Sequence, residues 1–290
     1  MQLLNILHIK QFDSAVNNPD FYSNTFKNHN NTHHKTITAP HKHDFYVTIL
    51  FTEGTGKHEV DFHTYPIKPG VVFLLKPGQI HHWELSDDID GYIFFHSKSF
   101  FDLNYTSRSV NDFPFFYSSQ NPPLLQLKDE ELNHISRYFI DINEEYYENR
   151  LLKRLKIISL IDILYTDLSR IYLSLQPEYT EPYRNTERVK QLEQLIDDHY
   201  KEVKMASAYA EMMHLSPKHL NRIVKSALNK TTSDLITERI ILEARRMLIH
   251  SGGSLSDISL ELGYEDYAYF SRVFKINTGH SPSQFIKIYK

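Results

Sequence analysis

The sequence predicts an α+β multidomain chain: a β-rich first half, a pair of long helices behind it, and an all-α C-terminal domain. Three observations carry that reading. Short β-branched and aromatic runs cut by Gly and Pro fill residues 36–97, apolar residues recur at intervals of three and four from Leu132 onward, and one helical pattern occurs twice near the C-terminus. A chain of 290 residues, 41% hydrophobic and 13% aromatic, has material for a core in each of two domains.

The expected strands are residues 36–38, 44–52, 58–62, 71–76 and 90–96, separated by turn signals at 53–56, Tyr65-Pro66, Lys68-Pro69-Gly70 and Lys76-Pro77-Gly78. Many short strands joined by Gly and Pro turns make a sandwich or barrel, placed here at residues 1–117. After the loop at 118–123 the period changes. Leu132, Ile135, Phe139, Ile142 and Tyr146 form a stripe, and an apolar helix runs from about Leu151 to Leu175, so 118–176 is a helical pair. The stripe suits a seam onto its own domain, the more frequent use, and equally a pairing surface between two copies; a homodimer held by residues 129–175 is the expectation. Gln176-Pro177 through Pro182 breaks helix, which places a linker at 177–186 and a helical domain at 187–290. In that domain Val189, Leu192, Leu195 and Ile196 mark a first helix, and 233–250 the longest one.

Charge separates along the same boundary. The whole chain carries 32 Lys+Arg against 36 Asp+Glu; residues 187–290 hold 15 against 13, net +2, leaving 17 against 23, net -6, for the rest. A small excess decides little, since phosphate binding depends on cations gathering on one face.

The pattern that occurs twice is Ser207–Lys225 and Ser256–Lys275, each a short helix, a tight turn and a second helix, with one extra residue in the second turn. Ala210 and Ser259 are small where the two helices must approach. Four positions later His214 and Gly263 stand where the chain must turn through positive φ. Ser216-Pro217 caps the second helix of the first copy, and Glu265 or Asp266 that of the second. With Leu220, Ile223 and Val224 inward, Lys218, Asn221, Arg222 and Lys225 share the other face; with Phe270, Val273 and Phe274 inward, Ala268, Ser271, Arg272 and Lys275 do. Asn229 and Gly279 end the two helices at equivalent positions. One such stripe alone is more often a solvated face. Two matched copies, joined by a helix about 27 Å long, approach the 34 Å spacing of successive major grooves, where Arg and Asn read purine edges and Lys neutralises phosphate.

Gly263–Phe285, GYEDYAYFSRVFKINTGHSPSQF, closely resembles the signature of the AraC-type transcription regulators, and the resemblance extends from Glu187 to the end. It implies a seven-helix DNA-binding domain with two helix-turn-helix units bridged by the helix around Ile236–Ile249. By position it implies that Tyr267, Ala268, Ser271 and Arg272 face bases or backbone in the second unit, and Lys218, Asn221 and Arg222 in the first. His214 and Asn229 depart from the family by standing where glycine is usual.

In the first half, His41-Lys42-His43, then Gly54 and Gly56, then Gly70 and Lys76-Pro77-Gly78-Gln79-Ile80-His81 resemble the two motifs of the cupin barrel, which AraC-type regulators often carry as a sensing domain. Catalytic cupins hold a metal with two His and a Glu from the first motif and a His from the second; here the Glu position, Val47 or Thr48, is empty. Three imidazoles alone are a sound donor set. The expectation is nevertheless that His41, His43 and His81 are rim residues hydrogen-bonded to backbone or ligand, with no metal and no cofactor, while His33, His34, His82 and His96 carry no assignment. A small-molecule effector is expected against His43, Tyr46, Trp83 and Phe94, an assignment that a one-residue slip of strand phase reverses.

Other classes are excluded or weakened by composition. Zero cysteines rule out disulfides, thiolate metal sites and thiol nucleophiles. The most apolar helix is interrupted by Ser159 and Asp162, and Met1–Lys10 lacks a basic start and a cleavage site, so neither a membrane span nor a signal peptide is expected and the cytoplasm is the default. The function expected is that of a sequence-specific transcription regulator and not an enzyme. Its partners would be double-stranded DNA, a small-molecule effector, a second copy of the chain and the transcription machinery. The alternative is a metal-dependent cupin enzyme with an accessory DNA-binding domain.

Overall fold

In a computed structural model that describes residues 5–12, 19–33, 39–105, 109–117, 121–175, 183–251 and 253–289, ten strands build the first half. They are β1 (Asn5–Leu7), β2 (Phe21–Thr25), β3 (His41–His43), β4 (Tyr46–Glu53), β5 (Gly56–Val60), β6 (His63–Ile67), β7 (Val71–Leu75), β8 (Ile80–Leu85), β9 (Asp90–His96) and β10 (Leu124–Gln126). The four longer expected strands correspond to β4, β5, β7 and β9; the fifth, 36–38, lies outside the described residues. Asp61 takes φ 54 and turns β5 into β6, so the run expected at 58–62 ends two residues early. Asp is among the few residues that accept this conformation at modest cost. β1, β2, β3, β6, β8 and β10 are short, polar or both, and their pairing partners, not their own composition, make them strands.

Two five-stranded sheets result, ordered β1-β3-β8-β5-β6 and β10-β7-β4-β9-β2, antiparallel throughout except for the parallel β1–β3 pair. Between them lie Phe45, Val47, Ile49, Phe51, Phe73 and Phe95 from the second sheet and its approach, each 1% exposed or less.

The first-half helices are α1 (Phe26–Thr32), α2 (Lys98–Asp102), α3 (Pro114–Tyr117), α4 (Asp129–Tyr147) and α5 (Lys153–Ser174). α4 starts with three acidic residues, which complement the helix dipole. It lays Ile135, Phe139, Ile142 and Tyr146, all 2% exposed or less, on the outer face of the second sheet, where Phe139 meets Phe94 at 5.5 Å. The stripe is therefore the seam onto its own domain and is not available for pairing between copies. Leu124–Gln126, which falls inside the stretch expected as a helical pair (118–176), instead joins β7 as an edge strand.

The chain divides into two compact units at Pro177/Glu178. The second contains α6 (Tyr183–His199), α7 (Ala206–Met212), α8 (Pro217–Leu228), α9 (Thr232–His250), α10 (Leu255–Glu261), α11 (Tyr267–Thr278) and α12 (Pro282–Tyr289). α6 begins inside the linker expected at 177–186, and the rest of that linker lies outside the described residues. α9 packs against each of the other six helices. Its Arg239 forms ion pairs with Asp197 and Glu243 and lies 4.1 Å from the Tyr200 ring centroid, which ties α9 to α6.

Candidate nucleic-acid interface and histidine cluster

The two helix–turn–helix units share one backbone geometry. In the first, the Leu215 amide donates to the Ala210 carbonyl at 2.8 Å and the His214 amide to Glu211 at 2.9 Å. In the second, Tyr264 donates to Ser259 and Gly263 to Leu260, both at 2.9 Å. Ala210 and Ser259 are buried, and His214 (φ 54) and Gly263 (φ 75) reverse the chain. A Cβ at Gly263 would lie 1.9 Å from the Lys201 carbonyl oxygen. The reason is Lys204, whose ammonium donates to the carbonyls of Tyr200, Lys201 and Leu262 and draws the end of α6 onto this turn. Ser216 caps α8 by accepting from the His219 amide, and Asp266 caps α11 by accepting from Ala268 and Tyr269. At the other ends Asn229 (φ 52) and Gly279 (φ 79) close the helices on Lys225 and Lys275.

On α8, Lys218, Arg222 and Lys225 are exposed. Asn221, grouped with them in the sequence, is half-buried, and its Oδ1 accepts from the Thr232 amide at 3.0 Å, so it serves the first turn of α9. On α11, Ala268, Arg272 and Lys275 are exposed, and Tyr267 and Ser271 half-buried. Sequence reasoning missed Tyr269, which is 53% exposed with the Arg272 guanidinium 6.0 Å from its ring centroid. The available signal was its position three residues before Arg272 on the same helix face.

In the first-half domain, alternation along β3 puts His41 and His43 on one face, and the register sets His81 of β8 opposite His41. β5 adds His58 from the far side of β8. All four are buried, which corrects the expectation of rim residues. His81 Nδ1 lies 2.8 Å from His58 Nε2, and His81 Nε2 lies 3.4 Å from His43 Nε2. His41 Nδ1 faces the Ala39 carbonyl at 3.1 Å, so Nδ1 carries the proton and Nε2 the lone pair. Burial lowers the His41 pKa to about 4, against the opposing pull of that carbonyl. The donor atoms of His41, His43 and His81 all lie within 4.8 Å of one another. Phe45 stacks on His43 at 4.6 Å, Phe73 meets His58 at 4.3 Å, and Trp83 meets His81 at 5.2 Å.

Of the four residues assigned to an effector, His43 and Trp83 belong to this inner face. Tyr46 and Phe94 point the other way: the Tyr46 hydroxyl donates to Asn111 at 2.7 Å, and Phe94 packs on Phe139 and Tyr165. Strand phase explains both, since their neighbours Val47 and Phe95 take the inner positions. On the outer face His96, Tyr165 and Thr48 form a closed polar chain. His96 Nδ1 donates to Ser97 O at 3.0 Å, so Nε2 accepts from the Tyr165 hydroxyl at 2.9 Å, which in turn accepts from Thr48 at 2.8 Å. Burial lowers the His96 pKa to about 4 and pushes the Tyr165 phenol up.

Two matched cationic helix faces in one unit, and a two-sheet domain lined with imidazoles and aromatic rings in the other, define a two-domain DNA-binding regulator with a sensing domain. Residues 209–288 match the family described as a helix-turn-helix domain, and residues 29–160 the AraC-like ligand binding domain. The chain is an AraC-type transcription regulator. It is 27% identical over 254 residues to the HTH-type transcriptional activator RhaS of Escherichia fergusonii, spanning 84% of this chain and 86% of that one. It is likewise 27% identical over 248 residues to the arabinose operon regulatory protein of Escherichia coli, spanning 83% and 80%. Among solved structures, unsaturated fatty acid bound ToxT from Vibrio cholerae covers 94% of this chain and 97% of its own at 16% identity and a TM-score of 0.43. Among the described residues no helix is long and apolar enough to cross a membrane.

Proposed function

We propose that the chain reads duplex DNA with α8 and α11, using Lys218, Arg222 and Lys225 on the first and Tyr267, Ala268, Ser271, Arg272 and Lys275 on the second, with Tyr269 added and Asn221 reassigned to positioning. The observation that carries the reading is the repeated turn geometry, which presents two equivalent helices of one unit with their cationic faces in water. The first-half domain, read as a cupin-like sensor, takes a small molecule against His43 and Trp83, with Phe73 and Phe95 as the further inner walls. An effector then acts by binding one conformation of the chain more tightly than another. The regulator works in the cytoplasm, as a homodimer, on the transcription machinery, and without catalysis of its own; relatives named as transcription regulators support this reading over the enzyme alternative.

A fragment of residues 183–290, which keeps α6 whole, tests the reading. Selection from a random duplex pool should enrich one sequence, and titration should show tighter binding to that sequence than to its scrambled version. Equal affinity for the two would remove sequence reading from the proposal.

A further inference from the structure

We infer that Lys204 is a positioning residue for DNA reading: it fixes one helix–turn–helix unit against the other and so decides which spacing of two DNA sub-sites the chain accepts. The inference rests on the proposed reading of DNA by α8 and α11. α9 packs against both units, while α6 packs against α7 and α8 of the first. Packed helices slide and rock in small steps, so a shared rod alone leaves the second unit some play about it. A hydrogen-bonded point away from the rod removes that play, and Lys204 supplies one. Its ammonium donates to the carbonyls of Tyr200 at 3.2 Å and Lys201 at 2.9 Å, just past the end of α6, and to that of Leu262 at 2.7 Å, just past the end of α10.

Carbonyls at a helix C-terminus lack intrahelical donors and form the negative end of the helix dipole, so two such ends repel each other. An ammonium has three protons, and here three carbonyls converge on it. The two ends then meet so closely that a Cβ on Gly263 would fall 1.9 Å from the Lys201 oxygen. Lys201 adds an ion pair to Glu261 at 3.0 Å across the same gap, but both side chains are exposed and the pair is weak. Both units reach this point. The Tyr209 hydroxyl of α7 donates to the Val203 carbonyl at 2.9 Å, which ties the segment to the first unit. On the other side the Lys204 ammonium lies 4.8 Å from the Tyr264 ring centroid, and that ring meets Tyr269 and Phe270 of α11 at 5.9 and 5.4 Å. One side chain thus connects the segment after α6 to the second reading helix. With the link in place the two helices meet DNA already arranged; without it the arrangement is made on binding, which lowers affinity and widens tolerance.

The test uses the full chain and a duplex that it selects from a random pool, with the two sub-sites located by methylation protection in the major groove. Two further duplexes carry one base pair inserted or deleted between the sub-sites, which moves one relative to the other by about 3.4 Å and about 35°. The unsubstituted chain should bind these at least about 10-fold more weakly, as a mismatched base pair does. Lys204→Met should bind the selected duplex about 10-fold more weakly and treat the three spacings alike within about 3-fold. Its dependence on salt should be unchanged, whereas loss of a phosphate contact lowers the salt slope by about 1. A folded Lys204→Met that keeps the full spacing penalty overturns the inference, and a salt slope lowered by about 1 makes Lys204 a phosphate contact instead. Should Lys204→Met fail to fold by circular dichroism, the unsubstituted chain decides: a penalty at both altered spacings supports the brace, and equal binding at all three overturns it. Equal affinity of the unsubstituted chain for the selected duplex and its scrambled version would remove the DNA reading itself.

Discussion

Arg272 on α11 and Asn221 on α8 both fall on the helix faces expected to meet DNA, yet their surroundings give them different work. Arg272 is exposed beside the Tyr269 ring, while Asn221 is half-buried with its carbonyl on the Thr232 amide. Arg272→Ala should therefore weaken specific binding by about 1–3 kcal/mol and relax discrimination at one base pair. An equal loss on selected and scrambled duplex would make it a phosphate contact. Asn221→Ala should instead lower stability by about 1 kcal/mol, as loss of a helix cap does, and leave the preferred sequence unchanged. His96 makes a prediction about pH. Its folded pKa of about 4 lies below the ordinary 6.5, so its contribution is fully present above pH 6.5. As pH falls from 6.5 toward 4 the unfolded chain binds a proton that the native chain refuses, and roughly 3 kcal/mol is lost across that window. Urea denaturation between pH 7 and 4 should show a shallower decline in His96→Gln than in the unsubstituted chain; identical slopes would mean the imidazole is not held neutral.

Glycines at two helix junctions separate backbone conformation from crowding. Gly263 and Gly279 both take positive φ, but a Cβ at Gly263 meets the Lys201 carbonyl, whereas one at Gly279 meets nothing within 4 Å. Gly279→Ala should cost about 1–2 kcal/mol from conformation alone. Gly263→Ala should cost about 2–5 kcal/mol, because the end of α6 must also move. Thermal or urea unfolding of residues 183–290 measures both, and equal losses would show that the approach of α6 is not enforced by this turn. The same contrast explains why His214 is tolerated in the first unit: it is exposed, so only its backbone is strained. Turns and caps of this kind are legible in sequence because each depends on one or two local residues. The work of the α4 stripe was not, since helical spacing is the same for a seam within a domain and between copies.

For the whole molecule, burial of that stripe transfers the expected homodimer to another surface. α5 and the residue before it expose Leu152, Leu155 and Ile163, at 65%, 54% and 47%. Sedimentation of the full chain at micromolar concentration should give a dimer that Leu155→Asp and Ile163→Asp convert to monomer without loss of fold, whereas Ile135→Asp should unfold the first-half domain. A dimer unaffected by both α5 substitutions would place the interface elsewhere. The sequence by itself determined the division into a β-rich and a helical unit, the duplicated turn, its caps, and the cationic residues Lys218, Arg222, Lys225, Arg272 and Lys275, because period, capping and turn chemistry are local. Only the tertiary structure decided that His58 joins His41, His43 and His81, that Tyr46 and Phe94 face the helices, and that Asn221 serves α9. Those outcomes depend on strand register and on which helix end lies within hydrogen-bond reach, and pairing between distant segments fixes both with no trace in the local pattern.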